Sequence, residues 1–151
     1  MSSRCRPHWS RRHRQPETRT VHIRVLLAED VDVLRDTLVA LLDLEDDIAV
    51  VAAVARGDRI VPEALAHRPD VALLDLDLPG TDGLTAATEL RGQLPDCRVL
   101  IMTGLAMPGA GSRALAAGVS GFLVKAGAAD DLIDAVRRVA RGERAFATRP
   151  R

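Results

Sequence analysis

The chain has 151 residues, 47% of them hydrophobic, which is enough for one domain with its own core. Its 21 basic and 21 acidic residues give a net charge of zero, but seven arginines and only one glutamate lie within the first 24 residues. Aromatic residues make up 2% and tyrosine is absent, which argues against a stacking platform for single-stranded nucleic acid. Cys5 and Cys97 form neither a metal-binding spacing nor a disulfide framework, so we expect both to be reduced thiols.

The basic stretch at residues 1–22 contains no apolar run, and we expect it to be a disordered arm outside the fold. Its SRRHR segment (Ser10 to Arg14) has the twin arginines of an export signal, but the apolar segment that such a signal needs does not follow. No later run reaches membrane-spanning length. We therefore expect a cytoplasmic protein that makes no membrane contact.

From Ile23 onward, short runs of aliphatic and β-branched residues alternate with longer amphipathic segments. The first helix is indicated by leucines that repeat at i, i+4, i+7 and i+8. The predicted strands are Ile23–Ala28, Ile48–Ala55, Val71–Asp75, Arg98–Met102 and Gly121–Val124. The predicted helices cover Leu34–Leu42, Asp58–His67, Gly83–Gln93, Gly109–Ala117 and Ala129–Arg141.

Five consecutive strand–helix units with almost fully apolar central strands predict an α/β fold with a parallel sheet covered by helices on both faces. We expect the flavodoxin-like (βα)5 doubly wound arrangement, with strand order 2-1-3-4-5. In such sheets ligands bind beyond the carboxyl ends of the strands, so the functional residues are sought there.

Polar residues follow four of the five predicted strands. Strand one leads into Glu29 and Asp30, strand three ends at Asp75, strand four is followed by Thr103, and strand five by Lys125, the only lysine in the chain. Each of these residues alone is more simply explained as a solvated side chain, a helix cap or a turn residue. Their joint occurrence at one sheet edge favours a single functional site.

The three carboxylates would repel one another in a shared pocket unless a cation neutralised them. Oxygen ligands with room left for water suit Mg²⁺, which usually binds one or two carboxylates and substrate phosphate oxygens. Asp75 is then the best nucleophile for phosphorus, while Lys125 and Thr103 can bind phosphoryl oxygens. We expect the backbone carbonyl of Asp77, rather than its carboxylate, to face the metal.

Four segments carry a resemblance to a known family, and it covers the chain from Ile23 to Arg144. They are VLLAED (Val25 to Asp30), DVALLDLDLPGTDG (Asp70 to Gly83), VLIMTG (Val99 to Gly104) and AAGVSGFLVKAG (Ala116 to Gly127). In combination and order they resemble a bacterial response-regulator receiver domain of two-component signalling. The resemblance thus implies a receiver domain at residues 23–144, followed by a tail or truncated linker at 145–151.

The resemblance also implies a role for each site residue. Asp75 would be the phospho-acceptor, and Mg²⁺ would be bound by Asp30, Asp75 and the Asp77 carbonyl, with Glu29 acting through water. Thr103 and Lys125 would hold the phosphoryl oxygens. Phe122 occupies the aromatic switch position, where the ring turns inward after phosphorylation, although plain core packing would also account for it.

The same resemblance implies partners. A sensor histidine kinase would donate the phosphoryl group, and a second copy of the chain would bind through helices one and five or through helices four and five. The segment DDLIDAVRRVARGERAF (Asp130 to Phe146) is most similar to receivers that precede a LuxR-type DNA-binding domain. The chain is therefore expected to be a stand-alone receiver or a fragment of a transcription regulator, and not itself an enzyme.

Three alternative functions are compatible with parts of the sequence. A haloacid-dehalogenase-type phosphatase also uses a DxD-type segment, but it would place the metal acids after the lysine, and Pro79 stands where that motif has Thr or Val. Weak, non-specific DNA binding by the arginine-rich arm needs only clustered positive charge. A receiver-like scaffold that signals without phosphorylation would have no need for an acidic pocket.

Overall fold

The protein is described here by a computed structural model of residues 22–104, 109–125 and 127–146. A six-stranded, all-parallel sheet runs through its centre in the order β2-β1-β3-β4-β5-β6. The strands are β1 (Ile23–Ala28), β2 (Ile48–Val54), β3 (Val71–Asp75), β4 (Arg98–Thr103), β5 (Gly121–Val124) and β6 (Ala145–Phe146). The helices are α1 (Asp32–Asp43), α2 (Ile60–His67), α3 (Gly83–Gln93), α4 (Ala110–Ala116) and α5 (Ala129–Ala140).

The central strands are apolar on both sides because helices cover both faces of the sheet. All five residues of β3 are buried, including the terminal Asp75. On one face, α1 and α5 contribute Leu38, Leu42 and Val136 to a core cluster with β1, β3 and β4. On the other face, a second core cluster includes residues of α2, α3 and α4. The doubly wound fold and the order of the first five strands are as predicted.

The element boundaries differ from the sequence predictions in small ways. A 3₁₀ turn at Gly57–Arg59 precedes α2, so this helix begins at Ile60 instead of Asp58. Thr103 is the last residue of β4 rather than the residue after it. The short strand β6 was not predicted, and it pairs with β5 through Gly121 and Phe122. Within the predicted tail at 145–151, Ala145 and Phe146 thus belong to the sheet.

The loops at the carboxyl edge of the sheet are closely packed. The amide of Gly57 donates to the carbonyl of Pro79 over 2.9 Å, and a β-carbon on Gly57 would overlap the carbonyl oxygen of Thr81. Gly80 has a φ of +86°, which favours glycine. At the start of α3, the carboxylate of Asp82 accepts a 2.8 Å hydrogen bond from the amide of Thr85. These contacts fix the loop that follows Asp75.

The disordered arm predicted at residues 1–22 lies outside the described residues except for His22. Among the helices that the structure describes, none has the length and apolar character that a bilayer crossing requires.

Candidate metal and phosphoryl-acceptor site

Three carboxylates meet at the carboxyl ends of β1 and β3. Oxygen atoms of Glu29, Asp30 and Asp75 all lie within 4.8 Å of one another. Glu29 is fully buried and Asp75 is 3% exposed, whereas Asp30 is open to solvent. The neighbouring positions of β1 and β3 in the sheet produce this cluster, as the predicted strand order required.

Lys125, just after β5, reaches across the sheet edge to two of these acids. Its Nζ lies 2.7 Å from Oε1 of Glu29 and donates a 2.9 Å hydrogen bond to Oδ2 of Asp75. The backbone supports this position, because the amide of Lys125 donates to the carbonyl of Thr103 over 2.7 Å. One ammonium group therefore neutralises part of the charge of two buried carboxylates.

Burial and neighbouring charges shift the pKa values of Asp75 and Lys125. Burial raises the pKa of Asp75; the hydrogen bond from Lys125 opposes this shift, and the nearby charge of Glu29 adds to it. For Lys125, burial lowers the pKa, but the bonds to Glu29 and Asp75 outweigh it and the net shift is upward. The charged lysine is thus stabilised by the acids.

The oxygens of the acid cluster are only partly satisfied by hydrogen bonds. Oε2 of Glu29 accepts a 3.0 Å hydrogen bond from the amide of Val31, and Oδ1 of Asp75 accepts one of 3.2 Å from the amide of Asp77. Oε1 of Glu29 is buried near Lys125. Among the described residues, this oxygen is the one buried side-chain oxygen or nitrogen without a well-formed hydrogen bond. Three carboxylates, one of them exposed, form a donor set that fits a hard divalent cation such as Mg²⁺.

The other predicted site residues lie on the adjoining strands. Thr103 is buried at the end of β4, where it pairs with Val124 of β5. Phe122, on β5, is 7% exposed and belongs to the core cluster on the side of α2, α3 and α4. The roles of Thr103 and Phe122 in switching, and of the Asp77 carbonyl as a ligand, stay predictions.

Sequence reasoning missed one residue beside the cluster. Arg35, on α1, donates from Nη1 to the backbone carbonyl of Glu29 over 2.9 Å and from Nη2 to Oδ1 of Asp32 over 2.7 Å. The arginine stands six residues after Glu29, one helical turn into α1, and none of the four family-like segments includes that position. The contact of Lys125 with Glu29 was also missed, because only the fold shows which acid the lysine reaches.

A separate cavity of about 490 Å³ lies between α1 and α5. Leu34, Leu41, Leu132 and Lys125 are among its lining residues, but none of the three clustered acids lines it. This cavity and the candidate site are therefore different places, although Lys125 belongs to both.

Residues 25–137 match the response regulator receiver domain family. The chain belongs to this family. Over 124 residues it is 40% identical to the transcriptional regulatory protein YvfU of Bacillus subtilis, and over 125 residues 39% identical to the transcriptional regulatory protein DesR of the same organism. These alignments cover 82% and 83% of the chain but 62% of each relative, so the chain spans about three fifths of the length of both proteins.

Solved receiver structures show the same fold. The signal receiver domain of NarL from Mycobacterium tuberculosis is 32% identical with a TM-score of 0.78, and the match covers 82% of the chain and 99% of that domain. A LuxR-family response regulator from Aurantimonas is 28% identical with a TM-score of 0.79, over 82% of the chain and 89% of that protein. The relatives are thus response regulators of the NarL and LuxR kind, as the sequence motifs predicted.

Proposed function

We propose that the chain is a phosphorylation-dependent switch in which Asp75 accepts a phosphoryl group from a sensor histidine kinase. The observation that carries the proposal is the contact of Lys125 Nζ with Asp75 Oδ2 at 2.9 Å, inside a cluster of three carboxylates. This arrangement offers a nucleophilic carboxylate and a cation that can stabilise negative charge on the incoming group.

In the proposed step, a carboxylate oxygen of Asp75 forms a bond to phosphorus. The bond from phosphorus to the imidazole nitrogen of the kinase histidine breaks, and its electron pair stays on that nitrogen. The Lys125 ammonium then moves from Asp75 to a phosphoryl oxygen, and the hydroxyl of Thr103 donates to another. When bound by Asp30, Asp75 and the Asp77 carbonyl, with Glu29 acting through water, Mg²⁺ would offset the charge of the phosphoryl group.

Phosphorylation would act on the surface through Thr103 and Phe122. The new charge-assisted bonds favour one of two conformations, and the position of the Phe122 ring on β5 links the site to the neighbouring helices. We propose that the output is self-association and control of transcription in the cytoplasm, since YvfU and DesR are described as transcriptional regulatory proteins. In this role the chain acts as a signalling module rather than as an enzyme.

The test is incubation of the purified chain with Mg²⁺ and acetyl phosphate, followed by intact-mass spectrometry. The wild type should gain one phosphoryl mass, and Asp75→Asn should gain none. Asp96→Asn is the matched control, because this aspartate is exposed just before β4, at the opposite edge of the sheet. A folded wild-type chain that gains no mass would contradict the proposal and favour a scaffold that works without phosphorylation.

A further inference from the structure

Asp30 is held in the acid cluster mainly by its backbone. Glu29 is fixed by Lys125 and by the amide of Val31, and Asp75 by Lys125 and the amide of Asp77. Among the described residues, no hydrogen bond or ion pair holds the Asp30 side chain, which is exposed. The place of its carboxylate therefore depends on the turn that joins β1 to α1.

That turn lacks the usual support at the start of a helix. The residue that precedes α1 is Val31, whose side chain cannot accept a hydrogen bond from the helix amides. Arg35 supplies a support from within the helix, because its guanidinium binds the carbonyl of Glu29 at 2.9 Å. The Arg35 side chain is 19% exposed, and its second bond, of 2.7 Å, goes to Asp32 at the exposed start of α1.

We propose that Arg35 is a positioning residue for the metal site: by holding the Glu29 carbonyl, it keeps Asp30 where its carboxylate can share a cation with Glu29 and Asp75. The inference rests on the proposed function. The hydrogen bonds of Arg35 go to the Glu29 carbonyl and to Asp32, and to none of the three clustered carboxylates. Residues that orient metal ligands typically change metal affinity when they are replaced, without any change in the ligands themselves.

The direct test is the Mg²⁺ dissociation constant of the unphosphorylated chain, measured by titration calorimetry. Arg35→Gln should weaken Mg²⁺ binding about fivefold to tenfold, as expected for the loss of a hydrogen bond that orients a ligand. Arg35→Met keeps the apolar stem and should do the same; it replaces Arg35→Gln in the test if the glutamine variant does not fold. A constant within twofold of the wild type in a folded variant would overturn the inference.

Two control variants distinguish the loss of the Arg35 contact with the Glu29 carbonyl from the loss of a charged side chain or an ion pair in general. Asp32→Asn removes the ion pair of Arg35 but leaves its bond to the Glu29 carbonyl, so Mg²⁺ binding should stay within twofold of the wild type. Arg59→Gln removes an arginine of the 3₁₀ turn before α2 that forms a 2.9 Å ion pair with Glu63, and it should also leave binding unchanged. Equal weakening by Arg35→Gln and Arg59→Gln would overturn a specific role for Arg35.

The phosphorylation rate with acetyl phosphate gives a second readout that a purely structural role would not produce. In Arg35→Gln the Mg²⁺ concentration for half-maximal rate should rise by the same factor as the dissociation constant, while the rate at saturating Mg²⁺ stays near that of the wild type. A loss of rate that Mg²⁺ does not restore would overturn the inference while leaving the proposed function intact. A wild type that binds no Mg²⁺ would overturn both.

Discussion

At the scale of single residues, Lys125 balances the charge of the acid cluster. Glu29 is fully buried and depends on the ammonium at 2.7 Å, so replacement of the lysine leaves a buried charge without a counter-ion. We expect Lys125→Met to lower the free energy of unfolding by about 3 kcal/mol in the presence of a chelator. Urea denaturation measures this loss.

Two further measurements test the cause of that loss. Saturating Mg²⁺ should restore part of the stability of Lys125→Met, because the cation takes over the neutralisation of the acids. The double variant with Glu29→Gln should be more stable than Lys125→Met alone, since the buried charge is gone. If Lys125→Met is as stable as the wild type, the lysine does not balance the buried acids.

Cys97 is expected to be chemically inert in the folded protein. Its thiol is 4% exposed, and burial, with a smaller contribution from the charge of Asp70, raises its pKa to about 11. At pH 8 we expect slow alkylation of Cys97 by iodoacetamide in the native chain and rapid alkylation in urea, with peptide mass spectrometry to separate Cys97 from Cys5. Similar rates in both conditions would show that this cysteine is accessible in the native state.

At the scale of elements, one arginine joins α5 to the turn that precedes β2. Arg137 binds Oε1 of Glu45 at 2.7 Å and both carboxylate oxygens of Asp47, at 3.0 and 2.9 Å. The hydrogen bond from Arg137 lowers the pKa of Asp47, with a partial offset from burial. These side chains are about one third exposed, so we expect Arg137→Gln to lower the free energy of unfolding by only about 1 kcal/mol at pH 7.

The pH dependence of this loss of stability follows from the lowered pKa of Asp47. Because the folded-state pKa lies below the ordinary value of 3.8, the stabilisation is complete above that pH and is lost as the pH falls through the folded-state pKa. The stability difference between Arg137→Gln and the wild type should therefore shrink in acid, as followed by urea denaturation from pH 7 to pH 3. Arg141→Gln, which breaks an exposed pair with Glu143, should have little effect at any pH. A difference that is independent of pH would contradict the assignment to Asp47.

The elements also show what the sequence could and could not predict. The long apolar runs of β1 and β3 and the leucine repeat of α1 are strong periodic signals, and their predicted positions agree with the structure. The strand β6 has only two residues, too few for any periodicity, and it forms because β5 offers an open edge.

The same limit applies within the site. The acids at the ends of β1 and β3 were predictable because parallel strands place their carboxyl ends at one edge, and the acid cluster agrees with that expectation. The contacts of Lys125 with Glu29 and of Arg35 with the Glu29 carbonyl depend on side-chain reach across the fold, which spacing in the sequence does not encode.

At the scale of the whole molecule, the exposed apolar residues favour one face for self-association. On α1 and at its end, Val33, Thr37, Leu41 and Leu44 follow helical spacing, and Val33 and Leu44 are each 76% exposed. Thr37 and Leu41 line the cavity beside α5. The α4 side of the molecule has Leu115, which is 46% exposed. Among the described residues, more exposed apolar side chains therefore lie at α1 than at α4.

We expect the phosphorylated chain to form a dimer through the α1 and α5 face, because Val33 and Leu44 expose apolar surface at α1. Size-exclusion chromatography with light scattering should give a dimer mass after treatment with acetyl phosphate and a lower mass for Asp75→Asn. Thr37→Arg puts a charge at the centre of the face and should prevent the dimer, whereas Leu115→Arg should leave it intact. The reverse pattern would assign the dimer to the α4 and α5 face, and a monomeric phosphorylated wild type would contradict self-association as the output.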